Sequence, residues 1–396
     1  MNIKSILCTA LAVTMTTGAL ADTKAEAPRA TPVNNNPNYA SIKREILRSI
    51  EKGNEYLATL QKDEGYWTDK SYPALTALCV TAALRDPEQQ GKPVPPKIQK
   101  ALDFIIASQK EDGSIYNRGL SSYNTAVSMM ALLATNNPKY DQNILKARAF
   151  LIKQQNHFAP DNPYNGGIGY GGEDAPPIAD LSNTTLALEA IHYSQKLAKD
   201  GKYGEQPELD WDAAIQFISR CQHNPKTNDQ KWVSRDDSEL GGFVYRPAES
   251  KAPNKGAKPG LDAGKPQKAY GSMTYAGMQS LIYANLNKED ERIQKALKWL
   301  GETYSLDENP GMDQEGLYYY YQCMAKALTS SGIDVLTLKD GSKVDWREDL
   351  AKKLITIQKG NGSWVNTNNR WWEADPALVT SYIVLALEQI YYSLPK

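Results

Sequence analysis

Leu354-Ile355-Thr356-Ile357-Gln358, with Gly362-Ser363-Trp364 following four residues after the glutamine, has two close copies elsewhere in the chain. Tyr56-Leu57-Ala58-Thr59-Leu60-Gln61 leads to Gly65-Tyr66-Trp67, and residues 104–109, ending in Gln109, lead to Gly113-Ser114-Ile115. Looser copies pair Phe150 and Gln155 with Gly167-Ile168-Gly169-Tyr170, and Phe217 and Gln222 with Gly242-Phe243. A sixth, between Trp299 and Tyr304, has no glutamine. Such self-similarity marks an array of units, each too small to bury its own apolar face except against a neighbour.

Every copy closes an amphipathic segment and opens an apolar one. Residues 42–61 alternate charged and apolar faces at helical spacing, so this segment reads as a helix with one wet side. The segments after the turns, 72–84, 123–133, 181–193, 273–283, 317–328 and 376–390, carry Ala, Leu, Met and Thr nearly all round. Helices apolar on every side are enclosed ones. Six outer and six inner helices can close on themselves and leave no exposed end, which predicts an all-α protein: an (α/α)6 toroid of two concentric helix rings over residues 41–396.

The Gln-x3-Gly-x-Trp pattern resembles the repeat of squalene cyclases and of protein prenyltransferase β subunits, over roughly residues 40 to 392. The resemblance implies the terpenoid cyclase/prenyltransferase toroid and an isoprenoid substrate, with the motif glutamines and tryptophans as structural parts. Hopene-forming cyclases protonate their substrate from an Asp-x-Asp-Asp-Thr motif opening an inner helix. Here the segment is Asp180-Leu181-Ser182-Asn183-Thr184, with Ser182 at the proton-donating place and Asn183 at the last acid. Prenyltransferases hold zinc through an Asp-x-Cys pair and a His. The matching places here carry Tyr270, Ser272 and Tyr319, so neither metal nor another cofactor is expected.

The site must be argued from residues, because one fold hosts many chemistries. Inner helices that start at one end of a ring bring their first residues together around its mouth. Those residues are Tyr123, Asn124, Asp180, Asn183, Tyr270, Ser272, Tyr275, Tyr319, Tyr320, Glu373 and Asp375, a set with rings and acids and no cation. An aromatic wall stabilises a passing positive charge by about 0.5–2 kcal/mol per ring; equally, such tyrosines can simply fill a barrel. Asp180, Glu373 and Asp375 are the candidate acids, with helix capping as the alternative for each. Trp371 and Trp372 offer a stacking platform, and Asp313 is a candidate cap for the helix after it.

Composition narrows the function further. The 396 residues are 23% charged, with 45 Lys and Arg against 46 Asp and Glu, so no basic face suits nucleic acid. Tyr outnumbers Phe 23 to 5, which favours half-wet aromatic walls over a dry core. Lys4, the apolar run 6–13 and Ala19-Leu20-Ala21 read as a signal peptide over 1–21, followed by a disordered leader over 22–40. A secreted or periplasmic protein cleaved near Ala21 follows, with no later segment apolar enough to span a membrane. Cys79, Cys221 and Cys323 read as buried inert thiols, and His157, His192 and His223 as structural. Residues 223–269 form a long insertion whose part 251–268, rich in Lys, Pro and Gly, reads as a mobile loop, either a lid or a surface excursion. The expectation is an exported toroid acting on or binding an isoprenoid or other apolar molecule. A non-catalytic toroid for a ligand or protein partner and a carbohydrate-active lyase or hydrolase are the alternatives.

Overall fold

The computed structural model describes residues 38–171, 178–253 and 267–395. The expected signal peptide, nearly all of the expected leader, and residues 254–266 of the insertion lie outside them. Among the described residues the helices are α1 (Asn38–Leu60), α2 (Pro73–Arg85), α3 (Pro96–Ala107), α4 (Ser121–Ala134), α5 (Asp141–Lys153) and α6 (Leu181–Lys199). They continue as α7 (Trp211–Ser219), α8 (Gly271–Tyr283), α9 (Glu291–Glu302), α10 (Leu317–Ser330), α11 (Trp346–Thr356) and α12 (Pro376–Ser393). Two short strands, β1 (Leu336–Thr337) and β2 (Lys343–Val344), pair antiparallel between α10 and α11.

The even-numbered helices form a closed ring. Each packs on the next, α2 on α4, α4 on α6, α6 on α8, α8 on α10 and α10 on α12, and α12 returns to α2. The odd-numbered helices lie outside, with α1 against both α11 and α12, so that the first and last described helices share one seam. This is the (α/α)6 toroid. Burial follows the two kinds of sequence: α8 buries every residue except Ile282, while α9 buries the stripe Ile293, Ala296, Trp299, Leu300 and Gly301.

The repeat motif is the lacing between units. The Nε2 atoms of Gln61, Gln109, Gln155, Gln222 and Gln358 each donate twice, at 2.8–3.1 Å. One bond goes to a turn glycine carbonyl, of Gly65, Gly113, Gly166, Gly241 or Gly362. The other goes to the next outer helix or its cap, at Lys97, Asn143, Asp210, Arg292 and, closing the circle, Ser49 of α1. In the two looser copies the bonded glycines, Gly166 and Gly241, precede by one residue the ones that the pattern suggested.

A threonine in the inner helix completes each joint. The hydroxyls of Thr76, Thr125, Thr184, Thr274 and Thr380 accept from the backbone amides of Trp67, Ile115, Ile168, Phe243 and Trp364 at 2.9–3.1 Å. Thr184, the last residue of the segment that resembles a cyclase acid motif, is therefore also a repeat residue. The sixth unit, lacking the glutamine, uses tyrosines: Tyr304 donates to Asp349 of α11, and Tyr321 to the Leu306 carbonyl.

Leucine at position 109 would leave the Gly113 and Asn143 carbonyls without their shared donor. Gln109→Leu is expected to lower unfolding free energy by about 2–6 kcal/mol, at about 1–3 kcal/mol per orphaned group. Urea denaturation should show the loss as a lower midpoint at unchanged slope.

Candidate functional site

The inner ring encloses a cavity of about 290 Å3. At its mouth stand Tyr72, Tyr123, Tyr170, Tyr245, Tyr270 and Tyr319, with Trp371 and Trp372 beside them. Their convergence has a simple origin. Tyr72 and Tyr270 hold the cap positions of α2 and α8, while Tyr123 and Tyr319 are each third in their helices. Tyr170 comes from the α5–α6 connection, and Tyr245 from the insertion, whose backbone carbonyl accepts from the Leu181 amide at 2.8 Å. Below this rim the wall is hydrocarbon, from Leu75, Leu78, Ala126, Val127, Met130, Leu186, Leu378 and Leu385. The base carries Arg85, Glu189 and Lys326.

The three candidate acids are all engaged at helix starts. Asp180 is buried and caps α6: its Oδ1 accepts from the Asn183 amide at 2.9 Å and its Oδ2 from Asn183 Nδ2 at 2.8 Å. It does not reach the cavity wall, where Tyr170, Tyr245 and Tyr270 stand. Burial pushes its carboxyl up to about 6, against the stabilising hydrogen bonds from Asn183 and Tyr245. Glu373 lines the mouth, yet it caps α10 from the adjacent unit, accepting from the Tyr319 amide at 2.7 Å and the Tyr318 amide at 3.3 Å. Asn366 Nδ2 donates to it at 2.7 Å, and burial raises its carboxyl above the usual range. Asp375 caps its own helix α12, through the amides of Ala377 and Leu378 at 2.8 and 3.0 Å, and does not line the cavity.

Because the folded state holds a proton on Asp180 more tightly than the usual carboxyl at 3.8 does, folding gains from that proton. This contribution is full below about pH 3.8 and is lost as pH rises to about 6, a change of about 3 kcal/mol at 1.36 kcal/mol per unit. Asparagine caps helices as well as aspartate does. Asn183 Oδ1, buried without a partner, can receive the new amide. Asp180→Asn should therefore match the parent near pH 4 and exceed it by about 2–3 kcal/mol at pH 7.5, read by urea denaturation across that range.

Of the other candidates, Tyr123, Tyr270, Ser272, Tyr319, Trp371 and Trp372 line the cavity, and Asn124, Asn183, Tyr275 and Tyr320 do not. Asn124 binds the start of α4 to that of α2, accepting from the Ala74 amide at 3.0 Å and donating to the Leu120 carbonyl at 3.0 Å. Tyr275 and Tyr320 pack on one another behind the wall, with ring centroids 5.6 Å apart, and Tyr320 donates outward to the Ser305 carbonyl. Ser272 is bonded to Asn309 by its amide and hydroxyl at 3.0 and 3.3 Å. Ser182 Oγ and the Tyr319 hydroxyl meet at 3.3 Å in the cavity wall. Tyr270, Ser272 and Tyr319 offer no thiolate, imidazole or carboxylate, so this set does not fit zinc.

Trp371 and Trp372 are nearly half exposed and both adopt left-handed backbone angles, φ 56° and 67°. Strain of this kind persists only where the surroundings fix it. Trp372 stands edge-on to Tyr72 at 5.2 Å, and the Arg370 guanidinium lies 4.4 Å from the Trp371 ring centre while pairing with Glu315.

Two expectations are corrected. The lining is not free of cations, since Arg85, Lys251 and Lys326 all belong to it. Asp313 does not cap α10; Gly316 holds that position without a side-chain bond and Glu373 supplies the acceptor. The described part of the insertion is folded against the ring, with His223, Asn224, Asn228 and Trp232 buried and with Tyr245 and Lys251 at the cavity. His223 Nδ1 accepts from the Ser234 amide at 3.0 Å, and His192 bonds the Tyr283 carbonyl at 3.1 Å, whereas His157 is exposed. Cys79, Cys221 and Cys323 are buried and free. Among the described residues no helix is long and apolar enough to cross a membrane.

No family model and no curated protein matches the chain by sequence. By structure it is similar to the type II terpene cyclase MstE from Scytonema, with a TM-score of 0.53 and 12% identity over 89% of this chain and 99% of that one. A point variant of that cyclase in complex with the substrate geranylgeranyl dihydroxybenzoate gives 0.52 and 11%, over 90% and 100%. Candida albicans protein geranylgeranyltransferase-I complexed with GGPP gives 0.53 and 16%, over 85% and 90%. The chain thus has the toroid fold of terpenoid cyclases and prenyltransferases.

Proposed function

We propose that the protein takes an isoprenoid or comparably apolar molecule into its central cavity and holds it there. The observation that carries this reading is the hydrocarbon waist: side chains of α2, α4, α6 and α12 present an apolar sleeve beneath a rim of phenols and indoles. Each buried methylene of a guest contributes about 0.8 kcal/mol, so a prenyl chain suffices for firm binding without a charged anchor. Proteins of the same fold that bind geranylgeranyl compounds support the class of ligand. The signal-like first 21 residues support an exported protein, which would meet its ligand outside the cytoplasm.

Binding is favoured over turnover because no acid of the required strength faces the waist. Ser182 and Tyr319 occupy the places where the resembled families carry an acid and a metal ligand, and Asp180, Glu373 and Asp375 spend their oxygens on helix starts. One observation favours a second reading, proton transfer from Asp180 by way of Tyr245: the Asp180 carboxyl, raised to about 6, is hydrogen-bonded to that phenol, so its protonated form would pass a proton to the phenol oxygen as the phenol gives its own to the substrate. Asp180→Asn separates the two, since it leaves uptake intact under the first and abolishes turnover under the second. Solvent extraction of the purified protein followed by mass spectrometry should release a polyisoprenoid or similar lipid near one per chain. Repeated empty extracts, together with no binding of added farnesol, would contradict the proposal.

A further inference from the structure

We propose that the base of the cavity is a subsite for a singly charged anionic head, a carboxylate, at the far end of the apolar ligand, with Arg85 as its anchor and Lys326 beside it. This rests on the reading of the cavity as an apolar-ligand site and names the ligand's other half. Arg85 is the last residue of the 13-residue α2, about 18 Å below the helix start at 1.5 Å per residue. It lines the cavity where the hydrocarbon sleeve ends, and its side chain is 13% exposed. Lys326 lines the same end from α10, and Tyr193 feels both Glu189 and Arg85, which places these charges in one cluster.

The two cations are not equally occupied. Lys326 Nζ is spent on Glu189 Oε2 at 2.7 Å, a neutral pair within the wall. Arg85 has only Glu388, with Nε to Oε2 at 3.6 Å, too long for a hydrogen bond, and no side-chain hydrogen bond to any described residue. Glu388 in turn is 0% exposed, and neither of its oxygens has a donor. Burial drives its carboxyl well above the usual range in spite of Arg85. Without a hydrogen bond its ionised form is disfavoured there, so it is a poor partner for Arg85.

With Lys326 bonded to Glu189 and Glu388 too far for a hydrogen bond, the base keeps one guanidinium whose planar donor fork is unused. That fork matches a carboxylate in two parallel bonds, shorter and about twice as strong as neutral ones. A diphosphate is disfavoured: its higher charge exceeds what one free cation offsets, and Glu189 would repel the remainder. Lys326 and Glu189 then set the polarity around the head rather than bind it directly.

Farnesoic acid and farnesol share one chain and differ at the head, so titrating each into the full mature protein tests the assignment. The acid is expected to bind at least tenfold tighter than the alcohol. Arg85→Gln should weaken the acid about 20-fold and the alcohol less than twofold, whereas Glu388→Gln should leave the acid bound at its original strength. On the unaltered protein, carbon-13 NMR of carboxyl-labelled farnesoic acid supplies a readout independent of any variant, and the bound carboxyl should remain ionised at pH values where the free acid is protonated. Equal affinity for acid and alcohol, or a bound acid that is protonated, overturns the anionic subsite alone. Failure of both compounds to bind overturns the apolar-ligand reading and this inference with it.

Discussion

Gly362→Ala should lower the melting temperature by about 4–8 °C, at roughly 2 °C per kcal/mol for a chain of this size. Gly362 sits at φ +89°, and a Cβ there would lie 2.3 Å from the Lys52 carbonyl oxygen of α1. An L side chain in that region costs about 1–2 kcal/mol by itself, and overlap with fixed backbone adds a comparable amount. The site is also the seam where Gln358 laces α11 to Ser49, so any shift of the turn loosens ring closure. Gly341→Ala isolates the overlap. Gly341 has φ +83° with nothing within 4 Å, so its replacement carries the conformational cost alone, about 2–4 °C. Differential scanning calorimetry of the two variants compares them directly, and equal losses would show that the turn glycines are not packed against the neighbouring unit.

Ala126→Phe should reduce farnesol affinity by more than 50-fold and leave the ring folded. Ala126 is buried in the sleeve, facing the cavity from α4. A phenyl group there takes up roughly 100 Å3, a large part of the about 290 Å3 available. Because the added group enters open space, the usual cost of overpacking, about 1–3 kcal/mol, is largely avoided. Isothermal titration of farnesol into parent and variant gives the ratio. Unchanged affinity in a folded variant would place the ligand elsewhere.

The architecture could be read from the chain because its joints are local. In the joints of Gln61, Gln109 and Gln358 a helix end, a turn glycine and an inner threonine lie within about twenty residues of one another, so each of these leaves a contiguous mark. Gln61, Gln109 and Gln358 carry that mark at one spacing, and the longer turns after Gln155 and Gln222 shift it by one glycine. The sixth joint keeps its place but not the mark, because Tyr304 reaches Asp349 with a phenol in place of an amide.

The mouth was legible in part for the same reason, since a residue just before or just inside an inner helix must lie near its end of the ring. Which of those residues face inward depends on how each helix is rotated, and Asn124, Asn183, Tyr275, Tyr320 and Asp375 turn away from the lumen. Tyr170 and Tyr245 arrive on loops whose path no periodicity gives. Arg85, Glu189, Lys326 and Glu388 had a signal of their own, as charges inside helices otherwise apolar, where burial without a partner is rare. Only the closed ring shows that they meet at one end, and that Arg85 is the member left without a bonded acceptor.

The claim on which the functional account rests is that a prenyl chain occupies the lumen. A crystal structure of the protein grown with farnesol tests it most directly. The account predicts density along the sleeve between Leu78, Ala126, Val127 and Leu378, inside the ring of even-numbered helices. Farnesol seated on the outer surface, with the lumen filled by side chains, would contradict it.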